Sequence, residues 1–218
     1  MNYLIVNAFT DDDEFHLKMT ESAKKIFQTS TDQLHFSNLY DLGFYNLKAT
    51  QLNLDIKTIE KFNMLNCEQF SIVGNSVEDR IVNEIDKVAE ADVIIFQYPM
   101  QWMNTPKIIF KWINEVFESF EPISQRWYDY EDLSNKVFAT AITTPAEQNF
   151  YEQYQLRNGA DGLNFALRSH LKSITKQECK TSFVAWHPLQ KSLHHQQQLL
   201  NKFENFLKPK QKLSFHKV

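Results

Sequence analysis

Short apolar runs alternate with amphipathic segments along most of this 218-residue sequence. The runs are rich in branched and aromatic residues, which is typical of strands buried on both faces. In the segments between them, apolar residues recur at the three- and four-residue spacing of a helix with one buried face. Parallel strands joined by such helices need crossover connections, and these cover both faces of a sheet. The alternation therefore predicts an α/β fold with a doubly wound, five-stranded parallel sheet.

These patterns place five strands and five helices along the chain. The strands are Tyr3–Val6, Leu34–Leu39, Ala91–Phe96, Val137–Ile142 and Ser182–Trp186. The helices are Phe15–Phe27, Val77–Val88, Ile108–Phe117, Leu163–Ile174 and Leu193–Leu207. Residues 40–76 carry a weak signal, for which we expect a long surface loop with one helical turn. Because neither an internal repeat nor a domain boundary is evident, residues 1–218 are expected to form a single flavodoxin-like domain with strand order 2-1-3-4-5.

The predicted strand order indicates where a ligand binds. In such sheets the site lies outside the carboxyl ends of the strands, near the point between strands 1 and 3 where the order reverses. Three segments follow the relevant strands: Phe9–His16, Gln97–Met103 and Thr143–Tyr151. The backbone donors of the second segment suit the polar edge of a planar heterocycle, and Trp102 offers a ring for stacking. An apolar loop packed on the chain's own core or on a second copy explains the same residues equally well.

Composition and charge argue against several other classes of partner. The net charge of −4 provides no general attraction to nucleic acid, and no apolar run approaches the roughly 18 residues of a membrane-spanning helix. Cys67 and Cys179 do not have zinc-ligand or Cys-x-x-Cys spacing, and His194-His195 lacks a third ligand, so we expect no metal site. Because unpaired cysteines suit a reducing compartment and the chain enters a strand without a leader pattern, we expect a cytoplasmic protein.

The segment from Ala91 to Phe117 carries a family resemblance. It contains Gln97-Tyr98-Pro99-Met100-Gln101-Trp102 at the end of a strand, followed by Pro106 at the start of a helix. It resembles the flavin loop of NAD(P)H:quinone oxidoreductases and of the related bacterial branch called modulator of drug activity B. The likeness is close over residues 91–117, fair over 1–27 and loose over 137–186. It implies a flavodoxin-like homodimer that binds FAD or FMN without a covalent bond and uses NAD(P)H to reduce quinones or similar small acceptors.

The resemblance also implies roles for individual residues. The residues expected around the flavin ring are Pro99, Met100, Gln101, Trp102, Met103, Thr143 and Thr144. Phe15 and His16 match positions that contact the phosphate arm of the flavin. Tyr151 is the expected catalytic residue, close to the substrate, where its hydroxyl can donate to developing negative charge. The implied dimer draws some support from the aromatic residues Trp102, Trp112, Phe117 and Phe120, which crowd one region.

Two departures from the family pattern concern the expected flavin site. The first loop of the family carries small and hydroxyl residues that receive a phosphate, but here it contains Asp11-Asp12-Asp13-Glu14, with Phe9 where a histidine is often found. Acids facing the site would exclude a phosphate, whereas acids facing outward would complement the helix dipole. We expect outward acids, with Phe15 and His16 facing inward. The second departure is Pro145-Ala146 in place of two glycines, which removes a backbone donor beside the ring.

Two other functions are compatible with parts of the sequence. An acidic cluster after strand 1 also occurs in response-regulator receivers, where paired acids hold Mg²⁺. A receiver needs an Asp at the end of strand 3 and a Lys after strand 5, but this chain has Gln97-Tyr98-Pro99 and Trp186-His187-Pro188 there. The stronger alternative is a catalytically weak or flavin-free regulatory or binding protein of the same fold, which an altered phosphate loop would suit.

Overall fold

The computed structural model describes residues 1–44, 75–100, 104–127, 133–145, 165–177, 179–186, 188 and 192–208, with the backbone alone at 75–79, 118–127 and 180. Gln101, Trp102, Met103 and Tyr151 therefore lie outside the described residues, as does most of the segment 40–76. In the described part of that segment, Gly43 has a positive φ of 72°, a conformation that glycine adopts without steric penalty. The turn brings Leu39 and Phe44 into the core.

Strands and helices alternate as predicted. The strands are β1 (Asn2–Asn7), β2 (Gln33–Asn38), β3 (Val93–Pro99), β4 (Val137–Thr144) and β5 (Cys179–Trp186). The helices are α1 (Glu14–Gln28), α2 (Asn75–Glu90), α3 (Lys107–Trp127), α4 (Phe165–Thr175) and α5 (Leu193–Leu207). Every strand pairing is parallel and the order is β2-β1-β3-β4-β5. The predicted α/β class and the order 2-1-3-4-5 are confirmed.

The sheet separates two apolar cores because successive side chains of a strand point to opposite faces. On β1, Leu4 and Val6 pack with residues of α2, α3 and α4. Tyr3 and Ile5 pack on the other face with residues of α1 and α5. Burial on both faces explains why β1 reads as a continuous apolar run, and it fixes which residues of each strand face α1.

A buried carboxylate joins α2 to α3 and to the edge strand β2. Glu84 is fully buried; its Oε1 lies 2.6 Å from Lys87 Nζ, and its Oε2 accepts a hydrogen bond of 2.8 Å from Trp112 Nε1. Lys87 Nζ also donates to the Phe36 carbonyl at 3.1 Å. A buried charge is tolerated only when it is paired, so these contacts stabilise one particular packing of the two helices.

We expect Lys87→Met to lower the free energy of unfolding by about 3 kcal/mol, because it leaves the Glu84 carboxylate buried without its cation. The double variant Glu84→Gln/Lys87→Met is expected to recover at least half of that loss, because the glutamine oxygen still accepts from Trp112. Denaturant unfolding measures both. Lys111→Met is the control, since Lys111 pairs with Glu115 on a partly exposed helix face and such pairs contribute about 0.5 kcal/mol. Equal losses in the single and double variants would contradict this account of Glu84.

Candidate functional site

Polar side chains occupy the α1-facing positions where three strands reach the carboxyl edge of the sheet. Ile5, Ile95 and Ala141 occupy these positions inside the strands. One step further along are Asn7 in β1, Gln97 in β3 and Thr143 in β4, all of them buried. Asn7 and Gln97 are direct neighbours in the pairing of β1 with β3. The face that is apolar along the sheet therefore ends in a polar cluster at the predicted ligand edge.

His16 in the first turn of α1 joins this cluster. Its ring is fully buried and stacks on Phe9 with ring centres 4.8 Å apart. Gln97 Nε2 lies 3.3 Å from His16 Nδ1, and since an amide nitrogen only donates, Nδ1 accepts. The ring proton is then on Nε2, which donates to Thr143 Oγ1 at 2.9 Å. Burial lowers the pKa of His16 to about 3, so the ring is neutral at neutral pH.

The loop that follows β3 is anchored at both ends. The Met100 N–H donates to the Thr143 carbonyl at 2.8 Å, which extends the β3–β4 ladder beyond Pro99. Thr105, which follows the loop, is also held in place: its Oγ1 lies 3.1 Å from the buried hydroxyl of Tyr98 in β3. The backbone of Thr143 thus fixes the start of the loop, while its side chain holds His16. Met100 and the end of β4 are consequently parts of one hydrogen-bonded unit.

The acidic turn before α1 is not uniform. Asp11, Asp12 and Glu14 are exposed, as expected. Asp13 differs: it is half-buried and caps α1, and its Oδ1 accepts from the His16 N–H at 3.1 Å. Burial raises the pKa of the Asp13 carboxyl, while the His16 and Phe15 N–H groups act against that increase. The expectation of outward acids is therefore wrong for Asp13, because a carboxylate at the N-cap position satisfies helix donors that otherwise lack partners.

The structure brings five of the residues predicted for the site to one edge: His16, Pro99, Met100, Thr143 and Thr144. The Phe15 side chain lies elsewhere, in the core between α1 and α5. Thr143 and Thr144 are buried. The roles that the resemblance implies for all these residues remain predictions.

The expected site residues do not include Asn7, Asp13 or Gln97, although Asp13 and Gln97 lie in two of the three predicted ligand segments. The signal for Asn7 and Gln97 was a polar residue at an inward position of an otherwise apolar strand. For Asp13 it was an acid directly before an amphipathic helix, which is typical of an N-cap.

Some of the aromatic residues that crowd the region of the implied dimer belong to the chain's own core. Trp112 and Phe117 are buried against Phe96 and Phe138. The side chains of Trp102 and Phe120 lie outside the described residues. The apolar stripe of α3 is therefore used inside the chain, and the homodimer remains a prediction from the resemblance alone.

In the parts of the chain that the structure describes, none of the helices is long and apolar enough to cross a membrane. No group of three histidine, cysteine or carboxylate side chains among these residues could hold a metal ion. Cys179 has a free, buried thiol, and burial raises its pKa to about 11.

The buried His16 should make stability depend on pH. Its folded-state pKa is below its unfolded value near 6.5, so the unfolded chain binds a proton that the folded chain excludes, and stability falls as pH drops through that window. Between pH 7.5 and pH 5 this loss is about 2 kcal/mol. His16→Gln should not show this loss. The difference in unfolding free energy between wild type and His16→Gln should therefore shrink by about 2 kcal/mol when the pH is lowered from 7.5 to 5. His194→Gln, at an exposed position in α5, is the control and should follow wild type; parallel profiles for wild type and His16→Gln would refute the assignment.

Comparisons with known proteins agree with this architecture. A family model described as flavodoxin-like fold matches residues 1–208. NAD(P)H dehydrogenase [quinone] 1 from Cavia porcellus is 29% identical over 150 residues, which are 68% of this chain and 54% of that protein. The chain thus spans about half the length of that relative.

Two solved structures show the same fold at low identity. NAD(P)H:quinone oxidoreductase from Methanothermobacter marburgensis superposes with a TM-score of 0.61 at 13% identity, covering 94% of each chain. An FMN-dependent NADH-azoreductase from Bacillus anthracis str. Ames Ancestor, in complex with FMN, gives a TM-score of 0.55 at 11% identity, covering 94% of this chain and 96% of that one. The predicted likeness to quinone oxidoreductases is confirmed, and with nearly its whole length matched by the family model, the chain belongs to the flavodoxin-like fold family.

Proposed function

We propose that this protein is a flavin-dependent NAD(P)H oxidoreductase that passes a hydride, by way of bound FAD or FMN, to a quinone or a similar small acceptor. The observation that carries the proposal is the bond from the Met100 N–H to the Thr143 carbonyl. It joins the two segments that the resemblance implies next to the flavin ring. The names of the Cavia porcellus relative and of the FMN-bound azoreductase support the same chemistry.

The described residues fit one half of a flavin and not the other. At the ring end, Pro99, Met100, Thr143 and Thr144 form a firm edge from which the loop 101–103 departs. At the phosphate end, the Asp13 carboxylate already occupies the helix terminus at which the fold would bind an anion. We therefore assign the ring to the edge formed by β3 and β4, and assign no contact to a phosphate.

In this proposal the flavin, when bound, carries the hydride between NAD(P)H and the acceptor, while the protein binds, orients and shields. Pro99 to Met103 and Thr143-Thr144 would hold the ring, with Trp102 as the stacking surface. Tyr151 would donate a hydrogen bond to charge that develops on the acceptor. His16 remains neutral beneath the site and maintains the position of Thr143. A homodimer, as the resemblance implies, completes the proposal.

The direct test is to purify the protein and look for flavin. We expect yellow protein, flavin fluorescence after denaturation, and oxidation of NADH or NADPH that depends on an added quinone. If the preparation is colourless, the apoprotein is titrated with FAD, FMN and riboflavin. A folded protein that binds none of the three would refute the proposed function.

We expect Trp102→Ala to weaken flavin binding about tenfold, because it removes the stacking surface, and to change the free energy of unfolding by less than about 1 kcal/mol. Fluorescence titration and denaturant unfolding measure the two effects. The matched control is Trp112→Phe, which removes the indole donor to Glu84 and should lower stability while leaving flavin affinity unchanged. Loss of stability in Trp102→Ala as large as its loss of affinity would make Trp102 a core residue instead.

The capped terminus of α1 favours a second candidate, a regulatory or binding protein of the same fold that does not use a flavin. Asp13 satisfies the helix donors without any ligand, as such a protein would require. The titration above separates the two candidates, because this alternative expects a stably folded protein with no affinity for FAD, FMN or riboflavin.

A further inference from the structure

Three of the four backbone N–H groups in the first turn of α1 are hydrogen-bonded within the chain. The Glu14 N–H donates to the Asp12 carbonyl at 3.1 Å and the Leu17 N–H to the Asp13 carbonyl at 3.0 Å. The His16 N–H donates to Asp13 Oδ1 at 3.1 Å, and the fourth group, the Phe15 N–H, helps to hold down the pKa of the same carboxyl. The Asp13 N–H itself donates to the Thr10 carbonyl at 3.0 Å. An anion at a helix terminus is bound through such N–H groups, and here three of the four already have partners within the chain.

The occupied donors belong to the two residues that match the phosphate-contacting positions of the family. The Phe15 side chain is packed in the core, and both ring nitrogens of His16 are bonded to Thr143 and Gln97. Only the backbone of these residues could therefore reach a phosphate. That backbone holds Asp13, and the exposed Asp12 and Glu14 add negative charge on either side of it.

An independent observation concerns the adjacent strand ends. Gln97 Oε1 and Asn7 Oδ1 are buried, and neither has a hydrogen-bond partner among the residues that the structure describes. The Gln97 amide lies against the first turn of α1, because its nitrogen is 3.2 Å from the His16 carbonyl. Both orphaned atoms are acceptors, so the group that would satisfy them is a donor such as a hydroxyl, and not a phosphate oxygen.

We propose that Asp13 takes the place of the flavin phosphate, so that the pocket gains no affinity from that phosphate and binds riboflavin at least as tightly as FMN. This inference rests on the proposed function. It concerns the choice among flavins. The protein recognises the flavin ring and its hydroxylated chain, whereas the Asp13 carboxylate occupies the helix N–H group that a terminal phosphate would need.

The experiment compares the dissociation constants of riboflavin and FMN, measured by fluorescence quenching, for wild type, Asp13→Asn and Asp13→Ser. Both substitutions keep an oxygen at the N-cap, and Asn, Ser and Asp cap helices about equally well, so α1 should remain intact. The oxygen is now neutral, and a phosphate can displace its weaker hydrogen bond to the His16 N–H more easily than that of a carboxylate. Both substitutions remove the negative charge of residue 13. We therefore expect the variants to bind FMN at least about tenfold more tightly than wild type does, while their affinity for riboflavin changes less than about threefold. Asp11→Asn is the matched control: it removes a charge from the same turn at an exposed position outside the cap, and should leave the ratio as in wild type.

Inorganic phosphate provides a second probe that does not involve a flavin. We expect phosphate to raise the melting temperature of Asp13→Asn and Asp13→Ser, at constant ionic strength, and to leave wild type and Asp11→Asn unchanged.

The outcomes separate the two proposals. Wild type that binds FMN about tenfold more tightly than riboflavin, or Asp13 variants that gain affinity for neither FMN nor phosphate, would overturn the role of Asp13 and leave the proposed function intact. Absence of FAD, FMN and riboflavin binding in every variant would overturn the proposed function, and with it the choice among flavins. A melting temperature that rises with phosphate only in the Asp13 variants would then still support Asp13 as the residue that excludes the anion.

Discussion

The hydrogen bond from His16 Nε2 to Thr143 Oγ1 supports the arrangement of the whole carboxyl edge. It joins the first turn of α1 to the end of β4, two segments separated by 127 positions in sequence. The carbonyl of the same threonine accepts from the Met100 N–H. Two consecutive bonds therefore connect the first turn of α1 with Met100, the residue that follows β3.

This connection requires a side chain that is neutral, flat and able to both donate and accept. A neutral imidazole meets these conditions: one nitrogen donates to Thr143, the other accepts from Gln97, and one ring face stacks on Phe9. A buried lysine would carry an unpaired charge, and an apolar residue would leave Gln97 Nε2 with fewer partners, each of which is unfavourable in a dry interior. The backbone of His16 meanwhile binds Asp13. One residue thus couples the capped helix terminus to the edge at which we propose the ring.

The fold was predictable because its signal is local and repeated. Strands buried on both faces are written as apolar runs and the helices as periodic stripes, and short connections leave few ways to assemble them. The edge strand β2 was the weakest prediction because it has fewer buried positions than β1. The stripe of α3 was predicted correctly as a helix face, but its partner was not. Whether Trp112 packs inside the chain or on a second copy depends on the distant Glu84 and Phe96, which no local pattern reveals.

The sequence predicted the edge of the sheet at which these residues meet, but not the contacts among their side chains. His16 and Thr143 were assigned to it from the resemblance, but their mutual bond depends on a crossover that brings α1 over β4. Asp13 shows a different difficulty, since four consecutive acids invite one explanation for all. Asp11, Asp12 and Glu14 are exposed to solvent, as the repulsion among like charges predicts. Asp13 stands at the N-cap position, where its carboxylate is hydrogen-bonded to the helix instead of solvated.

The energetics of this edge are the reverse of those of a nucleotide site that awaits its ligand. A helix terminus with open N–H groups gains from an incoming anion, because those donors lack partners until it binds. Here the chain supplies the anion itself, so α1 is complete without a ligand and a phosphate could enter only by displacing Asp13. The unsatisfied groups are acceptors, Asn7 Oδ1 and Gln97 Oε1, each of which costs about 1–3 kcal/mol while it remains unpaired. A donor that reached these two acceptors would recover that cost, whereas a phosphate oxygen would not.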